Sequence, residues 1–214
     1  SWRWHTSIVP STARRRPGRP PAAKADETRK RILRAARLVF SERGYEGATF
    51  QAIAVRADLT RPAINHYFSS KRVLYREVVN QTNKLVVTNG IELAARETTL
   101  MGRLTAFIAA GMQANSANPS VSAFLVTNVL ESQRHPELST TENDAVRSSR
   151  EFLTRAVNDA IERGEVTTDI DASALVETLL VVLCGVGFYA GSLRSYQEME
   201  AVTETLRLLL EGAL

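Results

Sequence analysis

The chain has 214 residues, 44% hydrophobic and 23% charged, with 27 Lys+Arg against 23 Asp+Glu. That length buries a sizeable core without staples. The single cysteine, Cys184, excludes an intrachain disulfide and a multi-cysteine zinc site, and no two of the three histidines have the spacing of a helical metal pair. No metal or other cofactor is expected.

Charge divides the chain. Residues 1–75 hold 16 Lys+Arg and 5 Asp+Glu, a net of +11, whereas residues 76–214 carry a net of −7. A basic end on an acidic body points to a polyanionic partner for the first part alone. Residues 1–25 carry Pro10, Pro17, Pro20 and Pro21 and few core-forming residues, so an unfolded basic arm is expected. Within it, Arg16 and Arg19 flank Gly18, and Gly18-Arg19-Pro20 is similar to the centre of an AT-hook. Such a segment either enters an A·T-rich minor groove or serves as a nonspecific cationic tail.

From Asp26 onward nearly every segment reads as helix, about nine in all. Asp26 and Glu27 suit the start of the first, Ile32, Ala36, Val39 and Phe40 line its inner face, and Gly44 suits its end. Thr49 caps a short helix with Ile53, Ala54 and Ala57 inward, and a break follows at Asp58. Thr60 caps a second short helix with Pro62 in its first turn and Ile64 and Phe68 inward, and Leu59 is wedged between the two. Two short helices joined in this way form a helix-turn-helix, with Ala54 small enough for the crossing. The helix after Lys71 is expected to supply a supporting wall.

Later signals continue the helical pattern. Asn118-Pro119 fits a helix start, Ser139-Thr140-Thr141-Glu142 a capping box, and Asp171 the cap of an apolar helix over Ala172 to about Leu193. Met199 to Leu210 offers one more. The longest nearly uncharged apolar run, Leu179 to Gly191, has 13 residues, too short to span a bilayer as a helix, and no secretion signal is read. A soluble, cytoplasmic, all-α protein without a membrane segment is expected.

With Ile64 and Phe68 inward, Arg61, Pro62, Asn65 and Tyr67 project toward a major groove. Arg61 can reach guanine O6/N7, and Asn65 can pair with adenine or bond a phosphate. Pro62 and Ala63 offer apolar contact to thymine methyls. His66 is expected to pack between helices. Against enzymatic function, the chain suggests no nucleophile-base-acid constellation and no phosphate-cradling glycine loop.

Gly44-Tyr45, Thr49, Ile53-Ala54, Ala57, Tyr67-Phe68, Ser70-Lys71 and Leu74 together resemble the DNA-binding domain of the tetracycline-repressor (TetR) family of transcriptional regulators. Asp58 stands where the family usually has glycine, and Asn65 where it typically has a phosphate-binding tyrosine. The resemblance implies a helix-turn-helix domain over 26–72 and a helical ligand-binding and dimerisation domain over 73–214. It implies DNA contacts at Gln51, Arg61, Pro62, Ala63, Asn65, Tyr67 and Lys71 within a palindromic operator, with Thr49 and Lys71 as phosphate anchors and Thr60 beside them.

It also implies a homodimer and a small, largely apolar effector that releases a repressor. Phe107, Met112, Phe124, Asn128 and Phe152 are candidate linings of the effector cavity. Leu179, Val182, Leu183, Val186, Gly187 and Leu206 are candidates for a dimer face, because the apolar helix reads as too hydrophobic all round for a monomer's surface. The alternatives are an intramolecular core helix and, for the whole chain, a ligand-independent or architectural DNA-binding protein. Cys184 is expected as a small buried hydrophobe.

Overall fold

The first helix already includes Pro21, five residues before the expected Asp26 cap: α1 is Pro21–Gly47 in the computed structural model, which describes residues 18, 21–138, 143–166, 169–192 and 196–212. Proline at the first helical position loses no hydrogen bond, and Ala22, Ala23, Lys24 and Ala25 propagate the helix well. Asp26 therefore lies inside α1, where it pairs with Lys30 at 3.2 Å. The unfolded arm expected over 1–25 loses its last five residues to this helix. Its Arg16 and Arg19 lie outside the described residues, as does the capping box over 139–142. Gly44 interrupts α1 as expected, at φ 73° and ψ 175°, left-handed backbone that a side chain rarely tolerates.

Three short elements follow: α2 (Phe50–Ala57), α3 (Arg61–Tyr67) and α4 (Lys71–Asn83). A π-helical stretch, Lys84–Thr88, carries α4 directly into α5 (Asn89–Ala94), so the chain from 71 to 94 forms one continuous rod. Gly90 is buried in α5 where α6 (Leu100–Ala117) crosses; an added Cβ would come within 3.0 Å of the Phe107 ring. Asn118 closes α6 rather than opening the next helix, and α7 runs Ser120–Arg134. Asn143 caps α8 (Asp144–Glu162), its Oδ1 accepting from Ala145 and Val146 N–H at 3.0 and 3.2 Å. Asp171 takes the Ser173 N–H at 3.0 Å and starts α9 (Ala172–Ser192), and α10 spans Tyr196–Leu210. The described residues are all-helical, with α4, the π stretch and α5 counting as one rod among nine.

Three clusters hold these helices together. The first joins Ile32, Ala36, Val39 and Phe40 of α1 to Ile53, Ala54, Ile64, Phe68, Leu74 and Tyr75, and also receives Phe124 from α7. The core of the N-terminal module thus runs past residue 72 along α4 and borrows a ring from the body. The second packs Phe152, Leu153, Ala156 and Val157 of α8 against Val176, Leu179 and Leu180 of α9 and Leu104 of α6. The third gathers Ile108, Met112, Ala190 and Met199. Ion pairs Arg103–Asp159 (2.8 Å) and Arg150–Glu177 (2.6 Å) cross these joints at the surface.

α9 corrects the length argument drawn from its uncharged run. The helix extends N-terminally through Glu177, and Ala172–Ala190 is long and apolar enough to cross a membrane by length and composition alone. It packs on α7 and α8 of its own chain, and Glu177 forms an ion pair with α8.

Candidate nucleic-acid interface

The helix-turn-helix is built by local hydrogen bonding and fixed by distant arginines. Thr49 Oγ1 accepts the Ala52 N–H at 3.0 Å and Thr60 Oγ1 accepts the Ala63 N–H at 3.3 Å, so both short helices carry the expected side-chain caps. Between them Asp58 adopts φ 54°, ψ 49°, left-handed, and its N–H closes α2 on Val55 C=O at 3.2 Å. Asp supports this conformation better than most residues, so the turn survives without glycine. The Leu59 N–H then reaches Ala54 C=O at 2.9 Å. Ala54, Ile64 and Phe68 are fully or almost fully buried, and they seat α3 on α1 and α4.

The seat leaves one face of α3 open. Thr60, Arg61, Pro62 and Asn65 are exposed, and Ala63 and Tyr67 are half-buried at its edges. Gln51 and Thr49 are exposed at the start of α2. His66 does not pack between helices: it is exposed on the same outer surface, its ring edge-on to Tyr67 at 5.3 Å. Lys71 is half-buried, its Nζ donating to Tyr45 C=O at 2.8 Å and lying 4.5 Å from the Tyr45 ring centroid. One of its three donors is so used, and two remain.

Sequence reasoning missed the two arginines that hold this face in place and a third that anchors α1 to the body. Arg31 of α1 donates from Nε to Ala57 C=O (2.7 Å) and from Nη2 to Asp58 C=O (2.8 Å), neutralising the carbonyl end of α2 and pinning the turn. Arg29 forms an ion pair with Glu77, places its guanidinium 4.6 Å from the Phe68 ring centroid and donates to Tyr67 C=O at 3.4 Å. Arg37, only 1% exposed, donates to Ser120 Oγ at 3.0 Å and reaches Gln81 Oε1 and Asn118 Oδ1 at 3.4 and 3.5 Å. Burial first, and then Arg34, lowers its pKa. It ties α1 to the α6–α7 junction through neutral acceptors. The available signal was spacing: Arg29 is i−3 from Ile32, and Arg37 is i+4 from Leu33 and i−3 from Phe40, on the inner side of α1.

The apolar effector lining does not assemble. Phe124 belongs to the N-terminal core, Phe107 stacks on Phe152 at 5.3 Å within the α6–α8 packing, and Met112 lies in the third cluster. Of the five candidates, only Asn128 lines the cavity of about 260 Å³ between α4, α7 and the start of α8. Asn128 Oδ1 accepts from Tyr75 OH at 2.9 Å, a buried bond joining α4 to α7. Burial, then Glu131 and Tyr45, raises the Tyr75 pKa well above that of a free phenol.

The α9–α10 face is split. Leu179 is turned into its own chain at 2% exposure, which removes it from the expected dimer residues. Leu183 and Gly187 are half-buried, and Val182, Val186 and Leu206 line an apolar groove of about 640 Å³ between α9 and α10. Val181 and Phe188 stand 71% and 57% exposed beside it. Cys184 is exposed, contrary to expectation, because α9 turns that side outward.

A buried seat presenting one short, polar helix face beyond a tight turn defines the helix-turn-helix class of DNA-binding proteins. Residues 32–78 match the family described as bacterial regulatory proteins, tetR family, and residues 101–206 the tetracyclin repressor-like C-terminal domain. The chain belongs to the TetR family of transcriptional regulators. The transcriptional regulator UidR of Escherichia coli is 25% identical over 163 residues, 76% of this chain and 81% of UidR. A TetR transcriptional regulator from Chloroflexus aurantiacus shares the fold at TM-score 0.71 and 21% identity, covering 88% of this chain and 96% of that one. FadR of Bacillus subtilis, solved in complex with stearoyl-CoA, does so at TM-score 0.64 and 17% identity, covering 83% and 96%.

Proposed function

We propose that this regulator is a sequence-specific repressor that reads a palindromic operator with two copies of α3 and is released by a small effector held in its helical body. The carrying observation is the open face of α3, with Arg61, Pro62 and Asn65 exposed on a helix whose opposite side is buried. Arg61 reads guanine, Asn65 takes adenine or a phosphate, and Pro62 and Ala63 contact thymine methyls. Thr49, Gln51, Thr60 and the two free donors of Lys71 hold the backbone, which positions the reader without carrying sequence information. Tyr67 borders the same surface.

The second copy docks through α9 and α10. The groove lined by Val182, Val186, Phe188 and Leu206 is apolar, and covering it with the same face of a second copy removes the exposed Val181 and Phe188 from water. Effector control is supported by the continuous rod from α4 to α5, which begins beside the reader and runs into the body. The stearoyl-CoA bound to FadR supports the same reading, since a related architecture holds a small molecule.

The test is binding to a palindromic duplex selected by the protein from a random pool, compared with a scrambled duplex across a salt series. The selected duplex should bind at least ~1,000-fold more tightly. Arg61→Ala should relax preference at one base position, whereas Lys71→Ala should weaken both duplexes alike. Equal affinity for the two duplexes at every salt concentration would make this an architectural binder and overturn the proposal.

A further inference from the structure

The cavity between α4, α7 and the start of α8 is built for charge. Arg72 and Arg76 stand one turn apart on its α4 wall, and neither guanidinium has an ion-pair or hydrogen-bond partner among the described residues. Two carboxylates also line it, outside α4: Asp144 is paired with Arg147, whereas Glu137 faces an imidazole that pairs with it as an ion only when protonated. Asp144 Oδ1 lies 2.6 Å from Arg147 Nη2, and Glu137 Oε1 lies 3.4 Å from His135 Nδ1.

The polar groups deeper in the wall point the same way. Asn128 is 4% exposed and its Oδ1 is taken by Tyr75 OH, so its unspent capacity is the two amide N–H donors of Nδ2. Asn143 likewise spends its Oδ1 on the α8 cap and keeps its amide donors. The α4 side therefore offers a ligand two guanidiniums without a partner among the described residues, Asn128 of α7 and Asn143 offer amide donors, and Val79 and Leu138 supply aliphatic surface. Its volume of about 260 Å³ lies below the roughly 300–1,000 Å³ of drug-sized sites.

We propose that this cavity binds a small organic anion, a carboxylate or a phosphate monoester, between Arg72 and Arg76 of α4 and Asn128 of α7. Two guanidiniums and a buried carboxamide match the oxygens of such a group with charge-assisted hydrogen bonds. The inference rests on the effector reading above and replaces the apolar ligand with a charged one. It also supplies the coupling. An anion joining α4 to α7 fixes the rod that leads to Lys71, and so favours one setting of the reading heads over the other.

The test uses the full chain, with succinate and glycerol phosphate as probes and succinamide and glycerol as uncharged controls, at constant ionic strength. At least one anion should raise the melting temperature saturably and change affinity for the selected duplex by fivefold or more, while the controls do neither. Arg76→Gln should abolish both responses, and Arg155→Gln, an exposed arginine on α8, should retain them. The arm that responds separates carboxylate from phosphate recognition. If neither anion produces a saturable shift, or if Arg76→Gln responds like the unaltered chain, the site is not an anion site. If Arg76→Gln instead weakens selected and scrambled duplexes alike without any anion present, Arg76 is a phosphate contact and the proposal fails. A saturable anion shift in a chain that does not discriminate duplexes would leave the site standing and sink the regulator reading alone.

Discussion

Ile64→Ala isolates what holds the reading helix. Ile64 is fully buried, and it is the one buried side chain within the seven residues of α3. Truncation removes three carbons, about 2.4 kcal/mol of transfer free energy at roughly 0.8 kcal/mol each. The cavity left behind brings the cost to about 3 kcal/mol, within the observed range of roughly 2–5. A helix of two turns cannot offset that loss by itself. The reporter is the Phe68 amide, which donates to Ile64 C=O at 2.9 Å. About 3 kcal/mol corresponds to roughly 100-fold faster hydrogen exchange, at about 1.4 kcal/mol per decade. Stability of at least ~5 kcal/mol would still leave roughly 0.95 of the heads folded at 25 °C, so operator affinity should scarcely move there and should fall on warming. Val55→Ala, at a position 70% exposed on α2, should change exchange less than about 2.5-fold. If the Phe68 amide in Ile64→Ala exchanges within threefold of the unaltered rate, burial of Ile64 is not what holds α3.

Asp58→Gly should match or exceed the unaltered chain in thermal stability, by up to about 1 kcal/mol, because glycine adopts φ 54° without strain, whereas Asp58→Val should lower it in the same melting assay. Gly90→Leu should lower the melting temperature, since its side chain must displace the Phe107 ring that already lies 3.0 Å from a Cβ at that position. Tyr75 has a folded-state pKa raised by burial, so its neutral form is favoured in the native protein. That contribution is fully present below the unfolded value of about 10 and is lost as pH rises above it, toward the folded value. Denaturant titrations from pH 8 to 11 should therefore show alkaline destabilisation that shrinks in Tyr75→Phe. The same variant should cost about 1–2 kcal/mol at pH 8, because Asn128 Oδ1 loses its donor.

The features legible in the sequence were those set within a few residues. Thr49 and Thr60 cap helices through bonds to amides three positions on, Asp58 turns the chain by its own backbone preference, and Ile64 and Phe68 fall on one side by helical period. The helix-turn-helix and its open face follow from those relations, as does the all-helical character of the described residues. The inclusion of Pro21 in the first helix was equally local, and was missed because Asp26 offered a competing cap. The rest depended on which distant surfaces meet. Phe124 is apolar at a suitable spacing for either a cavity or a core, and only the approach of α7 to Tyr75 places it in the N-terminal core. Arg37 looks like a solvated charge until α7 and the end of α6 bring Ser120 and Asn118 to it. His66 and Cys184 face outward because neighbouring helices cover the other sides of α3 and α9. Caps and periods are properties of a helix, and the chain carries them residue by residue. Which apolar face is covered, and which charge is left without a partner, are properties of pairs of helices far apart in sequence, and only their packing decides them.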